Sequence, residues 1–320
     1  MSKYRNALPQ LGSRLFLTDG GLETSLIFYH GIDLPHFASC ELLRSQEGRD
    51  VLTEYFLPYI ETARRAKLGF VLEAPTWRAN SDWGAKLGYA PETLASVNRL
   101  GIALMEELRF TFETPDVPMV ISGNIGPRGD GYVAGAEMTP EAAAEYHDEQ
   151  IGIFAETQAD MVAAFTMTNI SEALGIVVAA QRHRMPVAIS FTLETDGRLP
   201  SGATLQEAIE TVDAATGEGP AYYMINCAHP EHFEATLMGG GRWIERIRGV
   251  RANASRRSHA ELDSAPDLDD GDPVELGGQY GRLLHAFPQI RVIGGCCGTD
   301  HRHVAEMCTA CSGHAGAKAA

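Results

Sequence analysis

The chain has 320 residues, of which 44% are hydrophobic and 21% are charged, and its formal net charge at pH 7 is −16. This composition is that of an ordinary globular protein with a sizeable core, and it excludes extensive disorder. Because the net negative charge repels phosphate backbones, we expect no nucleic acid among the partners.

Hydrophobic segments long enough to cross a membrane are absent from the sequence, because no apolar stretch reaches the roughly 18 residues that such a helix needs. The first residues, MSKYRNALPQLGSR, include basic side chains but no hydrophobic signal core. We therefore expect a cytoplasmic protein without membrane contacts. In that compartment cysteines stay reduced, and clustered cysteines more often bind metal or take part in chemistry than form disulfides.

Eight short apolar or β-branched runs follow one another along the chain. They lie at residues 15–20, 69–74, 117–124, 160–166, 186–193, 221–228, 246–254 and 289–296. Near-continuous apolar runs of this length are typical of parallel strands that are buried on both faces.

Helical patterns separate these runs. One begins with Thr139 as its predicted N-cap and Pro140 at the first helical position, and YAPETLASVNRLGIALMEEL and SEALGIVVAAQRH also read as helices. Eight strand–helix units close a barrel, so the predicted fold is α/β, a single-domain (β/α)8 TIM-type barrel. The alternative is a doubly wound open sheet, but the turn in TDGGLETS lacks the GxGxxG spacing expected of one.

The predicted barrel takes residues 13–312, with an N-terminal extension at residues 1–12 and a flexible C-terminal tail at residues 313–320. One compositional break interrupts it at residues 254–273, which are polar and acidic. This break predicts a long loop after the seventh strand. On a barrel such a loop lies on the active-site face, where it is either a lid or a solvated excursion.

Three cysteines fall at predicted strand ends. Cys227 ends the sixth strand in MINCAHP, and Cys296 with Cys297 ends the eighth in RVIGGCCGTD. Because the carboxyl ends of barrel strands face the active site, the three thiols should converge. Three cysteine ligands can hold zinc and leave a fourth position open, and the flanking glycines allow the sharp bend that adjacent ligands need. The alternative is that these cysteines are small buried hydrophobes.

The segments TDGGLETSL, INCAHP and GGCCGTDHRHV together resemble the zinc-dependent homocysteine S-methyltransferase family, which acts with donors such as betaine or S-methylmethionine. The resemblance implies a (β/α)8 barrel that binds Zn²⁺ through Cys227, Cys296 and Cys297. It further implies a set of substrate-binding positions around the amino acid end of homocysteine and beside the ligand cysteine, namely Asp19, Gly20, Gly21 and Asn226.

The resemblance also implies a reaction. A methyl group would pass from a small cationic donor, a sulfonium or a quaternary ammonium, to a zinc-bound small thiol, which is homocysteine or a related thiol. A thiolate is the nucleophile and metal binding removes the thiol proton, so no further catalytic residue is predicted. Trp77 lies where the family has an aromatic residue and is the candidate for contact with the donor cation, with Trp83, Tyr132, Tyr222 and Tyr223 as weaker candidates.

One position departs from the family pattern. After the fourth strand the family normally reads ET, and that Glu binds the amino group of homocysteine, whereas this chain has Phe165. An ammonium group would lose its charged partner there, which is expensive in a buried site. Either the acceptor thiol lacks an ammonium group, which we favour, or Glu73 at the end of the second strand replaces the missing carboxylate.

A different class of function stays open. A protein that binds zinc or a thiol without turnover, such as a sensor or a pseudoenzyme, would use the same barrel and the same three cysteines. Loss of the family Glu at position 165 is the feature that favours it. The sequence is compatible with a homo-oligomer but does not specify one.

Overall fold

Eight parallel strands form a closed barrel in the computed structural model, which describes residues 2–133, 135 and 137–312. The strands are β1 (Phe16–Leu17), β2 (Gly69–Glu73), β3 (Met119–Ile125), β4 (Met161–Met167), β5 (Val187–Thr192), β6 (Tyr222–Asn226), β7 (Ile247–Ala252) and β8 (Val292–Gly295). Each strand pairs with the next along the chain, and β8 pairs with β1. The (β/α)8 prediction is confirmed, and the doubly wound alternative is wrong.

Helices cover the outside of the barrel. They are α1 (Leu22–Phe28), α2 (Gln46–Ala66), α3 (Ser81–Lys86), α4 (Pro91–Phe112), α5 (Pro140–Ala155), α6 (Ile170–Arg182), α7 (Leu205–Thr216), α8 (Pro230–Met238), α9 (His259–Asp263), α10 (Pro273–Ala286) and α11 (His301–Ser312). The three helices singled out in the sequence correspond to α4, α5 and α6. The Thr139 side chain caps α5 by accepting a hydrogen bond from the Ala142 amide, as its position predicts.

Two layers of apolar side chains stabilise the fold. Alternate residues of the strands, among them Val71, Val120 and Val292, point inward and fill the barrel. The opposite faces of the strands pack against the helices in a larger outer core. The strands are therefore buried on both faces, which is why they read as unbroken apolar runs.

The N-terminal segment packs onto the barrel. The Tyr4 amide donates a hydrogen bond to the Asp160 carboxylate, and the Arg5 guanidinium donates to backbone carbonyls at Ala155 and Ala159. Leu8 joins the apolar cluster inside the barrel. The predicted N-terminal extension therefore packs closely against the barrel, even though the sequence boundary at residue 12 sets it apart. The predicted tail, residues 313–320, lies outside the described residues.

The polar segment after β7 contains a short helix that the sequence analysis missed. Ser258 and Glu261 form a reciprocal capping box at the start of α9, and His259 is buried beneath the segment. The S-x-x-E spacing was the available signal. Within the described residues, no helix is both long and apolar enough to cross a membrane.

Candidate active site

A pocket of about 320 Å³ opens at the carboxyl ends of the strands. The pocket is lined by every residue predicted as a metal ligand or a substrate contact and by the main candidate for donor binding. These residues are Asp19, Gly20, Gly21, Glu73, Trp77, Phe165, Asn226, Cys227, Cys296 and Cys297. The barrel brings them together from the ends of five strands and the loops that follow them, as expected when parallel strands share one carboxyl edge. Their individual roles stay predictions.

The three cysteines form a cluster in this pocket. Their sulfur atoms all lie within 4.8 Å of one another, and no other group of His, Cys, Asp and Glu side chains in the described part of the chain has the spacing of a metal site. Cys227 and Cys296 are joined as a disulfide, whereas Cys297 is a free thiol. When reduced, the three sulfurs have the spacing of a group that could hold a metal ion.

Unusual backbone conformations aim the cysteines at one point. Cys227 has φ 52° and Gly298 has φ 78°, which is the left-handed region. A non-glycine residue there is strained, and such residues concentrate at functional sites. The Thr299 hydroxyl donates a hydrogen bond to the Cys296 carbonyl at 2.7 Å and fixes the turn. The bend therefore falls at Gly298, while Gly294 and Gly295 lie within β8 rather than in the turn.

Asn226 ties the sulfur cluster to the neighbouring strands. Its side-chain oxygen accepts hydrogen bonds from the Thr166 amide at 3.0 Å and the Ser190 hydroxyl at 2.6 Å. Its amide nitrogen donates to the Thr166 hydroxyl at 2.9 Å and to the Cys227 sulfur at 3.2 Å. Three of these contacts fix the Asn226 amide, and the fourth holds the Cys227 sulfur in a defined direction. Thr166 and Ser190 were not singled out in the sequence.

Tyr132 contacts the third sulfur. Its hydroxyl lies 3.1 Å from the Cys297 sulfur, and its ring stacks on His259 with centroids 4.2 Å apart. A nitrogen of that histidine lies 2.6 Å from the Cys227 carbonyl oxygen. Burial raises the pKa of the Cys297 thiol to about 11, so without a metal this sulfur stays protonated at neutral pH. His259 thereby connects the segment after β7 to the cysteine cluster.

Arg251 is the largest omission from the sequence analysis. It extends from β7 into the pocket, where its guanidinium lies 2.9 Å from the Asp19 carboxylate and donates to the carbonyls of Gly20 and Gly295. The Tyr55 hydroxyl donates to the other Asp19 oxygen at 3.0 Å. An arginine near the carboxyl end of a barrel strand was the available signal, because a strand buried on both faces rarely carries a charge without a partner.

The ring of Phe165 packs beneath the same guanidinium, with Arg251 Cζ 5.2 Å from the ring centroid. This side chain is 6% exposed and lines the pocket. Position 165 therefore offers an apolar face where the family has an ammonium-binding carboxylate, and the carboxylate of Asp19 already pairs with Arg251.

Glu73 lies in the pocket without a direct counter-ion. The residue is 4% exposed, and its Oε2 atom has no hydrogen-bond partner within the described residues. Burial raises the pKa of this carboxyl to about 8, against the opposing effect of the Arg251 charge. At neutral pH the side chain is therefore mostly protonated and can donate a hydrogen bond.

The aromatic candidates separate in the structure. Trp77 lines the pocket and donates a hydrogen bond to the Phe165 carbonyl, but Arg78 Cζ lies 4.1 Å from its ring centroid. One face of the indole is thus already occupied by a cation. Tyr132 lines the pocket as well, whereas Tyr222 lies inside the barrel and Tyr223 in the outer core, and neither lines the pocket.

The fold and the site define a (β/α)8-barrel protein with a cluster of three cysteines at the barrel mouth. The family model described as Homocysteine S-methyltransferase matches residues 16–311. The chain belongs to this family, whose members are S-methyltransferases.

Known relatives match along most of the chain. The selenocysteine Se-methyltransferase of Brassica oleracea var. italica is 23% identical over 306 residues, which is 88% of this chain and 85% of the relative. Homocysteine S-methyltransferase 4 of Zea mays is 22% identical and covers 89% of this chain and 85% of its own length.

Among solved structures, the oxidized form of the homocysteine methyltransferase MmuM from Escherichia coli superposes with a TM-score of 0.75 at 20% identity. The match covers 95% of this chain and 99% of that protein. Its metallated form gives a TM-score of 0.71 at the same identity, with coverage of 95% and 98%. These superpositions support the fold.

Proposed function

We propose that the protein is a zinc-dependent S-methyltransferase that moves a methyl group from a small onium donor to a small thiol, homocysteine or a related one. The observation that carries the proposal is the convergence of Cys227, Cys296 and Cys297 within 4.8 Å in a pocket lined by charged side chains. The acceptor in the family's description, homocysteine, suggests the class of thiol.

Three reduced cysteines fit zinc better than they fit a harder cation. Sulfur ligands select zinc among the common divalent ions, whereas magnesium and calcium require oxygen ligands. Zinc held in this way would supply Lewis acidity and would bind the acceptor thiol as its thiolate. Because Cys227 and Cys296 are joined as a disulfide in the structure, metal binding requires their reduction first. The disulfide and the metal site are alternative states of the same sulfurs.

The protein's own groups would orient the reactants. Asn226 and Tyr132 contact the sulfurs of Cys227 and Cys297 and hold them in place. The reaction forms a bond between the acceptor sulfur and the methyl carbon as the bond from that carbon to the donor sulfur or nitrogen breaks. The electron pair of the broken bond stays on the donor, which leaves as a neutral sulfide or amine. The pocket would hold the two substrates in line with one another.

The acceptor end of the pocket is defined by Asp19, Gly20, Arg251, Phe165 and Glu73. Asp19 is held by Arg251, and position 165 is apolar, so an ammonium group finds a carboxylate only at Glu73 among these residues. An acceptor thiol without an ammonium group avoids repulsion from Arg251, and its polar atoms can accept a hydrogen bond from protonated Glu73. The presence or absence of an ammonium group would therefore determine whether the pocket prefers homocysteine or a related thiol.

A matrix of thiols against onium donors, analysed by mass spectrometry, tests the proposal. We expect a methylated thiol from the reduced, zinc-loaded protein and none from a Cys296→Ala variant. If the zinc-loaded protein binds thiols but no donor in the matrix yields product, the non-catalytic zinc or thiol sensor becomes the better description.

A further inference from the structure

His259 contacts the cysteine cluster through the backbone of one cysteine. Its side chain is buried, and it is the first residue of α9 in the segment after β7. Its Nε2 atom lies 2.6 Å from the Cys227 carbonyl oxygen. Because a carbonyl oxygen only accepts hydrogen bonds, the histidine nitrogen carries the proton and donates it. The contact therefore fixes the direction of the Cys227 carbonyl.

Two further contacts hold the ring of His259 in place. Its Nδ1 atom lies 3.2 Å from a carboxylate oxygen of Glu194, in the loop after β5. Tyr132, in the loop after β3, stacks on the ring with 19° between the two planes. The hydroxyl of the same tyrosine lies 3.1 Å from the Cys297 sulfur. One imidazole therefore joins the backbone of Cys227 to a residue that contacts Cys297.

The backbone at Cys227 needs such support. Its φ of 52° is in the left-handed region, which is unfavourable for a residue with a side chain and persists only when the surrounding structure enforces it. The Cys227 amide donates a hydrogen bond to the Arg251 carbonyl at 3.1 Å, and His259 holds the carbonyl of the same residue. Both contacts are made to the backbone, so they do not depend on whether the sulfur is bonded to Cys296 or to a metal. Rotation of this backbone would move the Cys227 sulfur away from the other two.

The segment that carries His259 is itself anchored beside the other two cysteines. Where it begins, the Ala254 amide donates a hydrogen bond to the Cys297 carbonyl at 3.1 Å. Near its end, a nitrogen of His303 lies 2.8 Å from the Asp270 carbonyl oxygen. A side chain on an anchored segment can hold its partner in one direction, which a side chain on a free loop cannot do.

We propose that His259 is a positioning residue of the metal site, which aims the Cys227 sulfur at Cys296 and Cys297 by holding the Cys227 carbonyl. The inference rests on the proposed function, since it concerns the zinc site of that reaction, and it assigns control of zinc affinity to the segment after β7. His259 is not itself a ligand, because both of its nitrogens are engaged. Among the described residues, the three cysteines alone have the spacing of a metal site.

Zinc affinity of the reduced full chain tests this role without any substrate. Zinc is titrated in competition with a chromophoric chelator of known affinity. His259→Phe keeps an aromatic ring beside Tyr132 but cannot donate a hydrogen bond. His259→Gln places an amide nitrogen near the position of Nε2, whereas the shorter His259→Asn places it near that of Nδ1, out of reach of the Cys227 carbonyl. The two amides are a matched pair that differs only in reach.

His232→Phe is the control variant. His232 lies on α8, and its Nε2 atom lies 3.0 Å from the carbonyl oxygen of Arg256, which belongs to the same segment as His259. The residue does not line the pocket. The control therefore removes a histidine–carbonyl contact that anchors the segment and leaves the contact to the metal-ligand residue intact.

We expect His259→Phe and His259→Asn to weaken zinc binding by about 10- to 100-fold, and His259→Gln to recover most of that loss. His232→Phe should bind zinc as wild type does. Urea unfolding of the reduced, metal-free proteins is the second measurement. A purely structural histidine would lower stability without changing the zinc affinity of the folded protein, whereas a positioning residue makes the affinity follow the reach of the donor.

The possible results separate this inference from the proposed reaction. Wild-type zinc affinity in His259→Asn, or equal losses in the Asn and Gln variants, overturns the role of His259 while the methyltransferase proposal stands. If His259→Phe does not fold by circular dichroism, the Asn and Gln pair decides by the same criterion. The expected order of affinities in a protein that turns over no thiol and donor supports the role of His259 and refutes the proposed reaction. Failure of the reduced wild type to bind zinc refutes both.

Discussion

Asp19 and Arg251 form a buried ion pair across the barrel mouth, with 2.9 Å between the carboxylate and the guanidinium. Asp19 lies in the loop after β1 and is 3% exposed, and Arg251 lies on β7 and is 7% exposed. Arg251 thus engages the carboxylate of Asp19, which the resemblance assigned to substrate binding. A substitution in this ion pair should therefore change both the stability of the barrel and the choice of acceptor thiol.

Removal of one partner from this pair should be expensive. In Arg251→Met the Asp19 carboxylate would remain buried without its counter-ion, and we expect a loss of about 3–5 kcal/mol in the free energy of unfolding. The matched control is Arg256→Met, whose partners Glu231 and Glu275 are exposed, with an expected loss under about 1 kcal/mol. Urea unfolding measures both, and equal losses in the two variants would contradict the prediction.

The cysteine cluster should bind one zinc ion per chain once it is reduced. Elemental analysis after reduction and zinc loading should give about one equivalent, and Cys296→Ala should lower it sharply because two sulfurs are a poor zinc site. Cys308→Ala is the control, since that thiol is buried on α11 away from the pocket. Full zinc retention in a Cys227→Ala, Cys296→Ala double variant would refute the ligand assignment.

The fold should persist without the metal. A barrel with two extensive apolar layers does not depend on a metal for its stability, unlike a small zinc finger. Chelation under reducing conditions should therefore abolish methyl transfer and leave the far-UV circular dichroism spectrum almost unchanged. Collapse of the spectrum would instead mark the metal as structural.

Acceptor choice should reflect Phe165 and Glu73. We expect 4-sulfanylbutanoate, which lacks the ammonium, to be preferred over homocysteine, because position 165 is apolar and Arg251 repels an ammonium. Phe165→Glu should then raise homocysteine activity, by up to roughly 30-fold or more for a charged contact in a dry site. Steady-state kcat/KM values for the two thiols provide the measurement.

The opposite result is equally specific. If Glu73 binds the ammonium, homocysteine remains the better substrate and Glu73→Gln damages it selectively. The expectation fails if wild type prefers homocysteine and both substitutions leave its kcat/KM within about twofold, which is less than one charged contact provides.

Glu73 should also make stability depend on pH. Its pKa is raised from 4.5 to about 8 in the folded state, so the folded protein holds this proton more tightly than the unfolded chain does. Its contribution is fully present below about pH 4.5 and is lost as the pH rises to about 8. Between these values wild type should lose stability relative to Glu73→Gln by up to about 1.4 kcal/mol per pH unit.

Urea unfolding of both proteins across this range tests the prediction. The control Glu61→Gln changes an exposed carboxylate on α2 and should show no such divergence from wild type. Parallel pH profiles for wild type and Glu73→Gln would show that the folded state does not raise the pKa of this carboxyl.

The barrel and the place of the sulfur cluster within it could both be predicted from local patterns in the sequence. Strand and helix signals are local, since they depend on apolar periodicity, caps and the turns between elements. Once eight parallel strands are recognised, closure of the barrel places them in chain order. It also brings residues such as Asp19, Cys227 and Cys296 to the carboxyl edge of the strands. The site could thus be located from the spacing of a few short segments.

The pairing of the charges inside that site depends on the three-dimensional packing of the loops and could not be predicted from the sequence. Arg251 reaches the Gly20 carbonyl across 231 residues of sequence, and Tyr132 reaches the Cys297 sulfur across 165. Side-chain direction over such distances depends on packing among several loops, which leaves no periodic trace in the chain. The same packing leaves Arg78 and Glu73 buried without counter-ions, and whether a buried charge is paired depends on three-dimensional neighbours rather than on residue type.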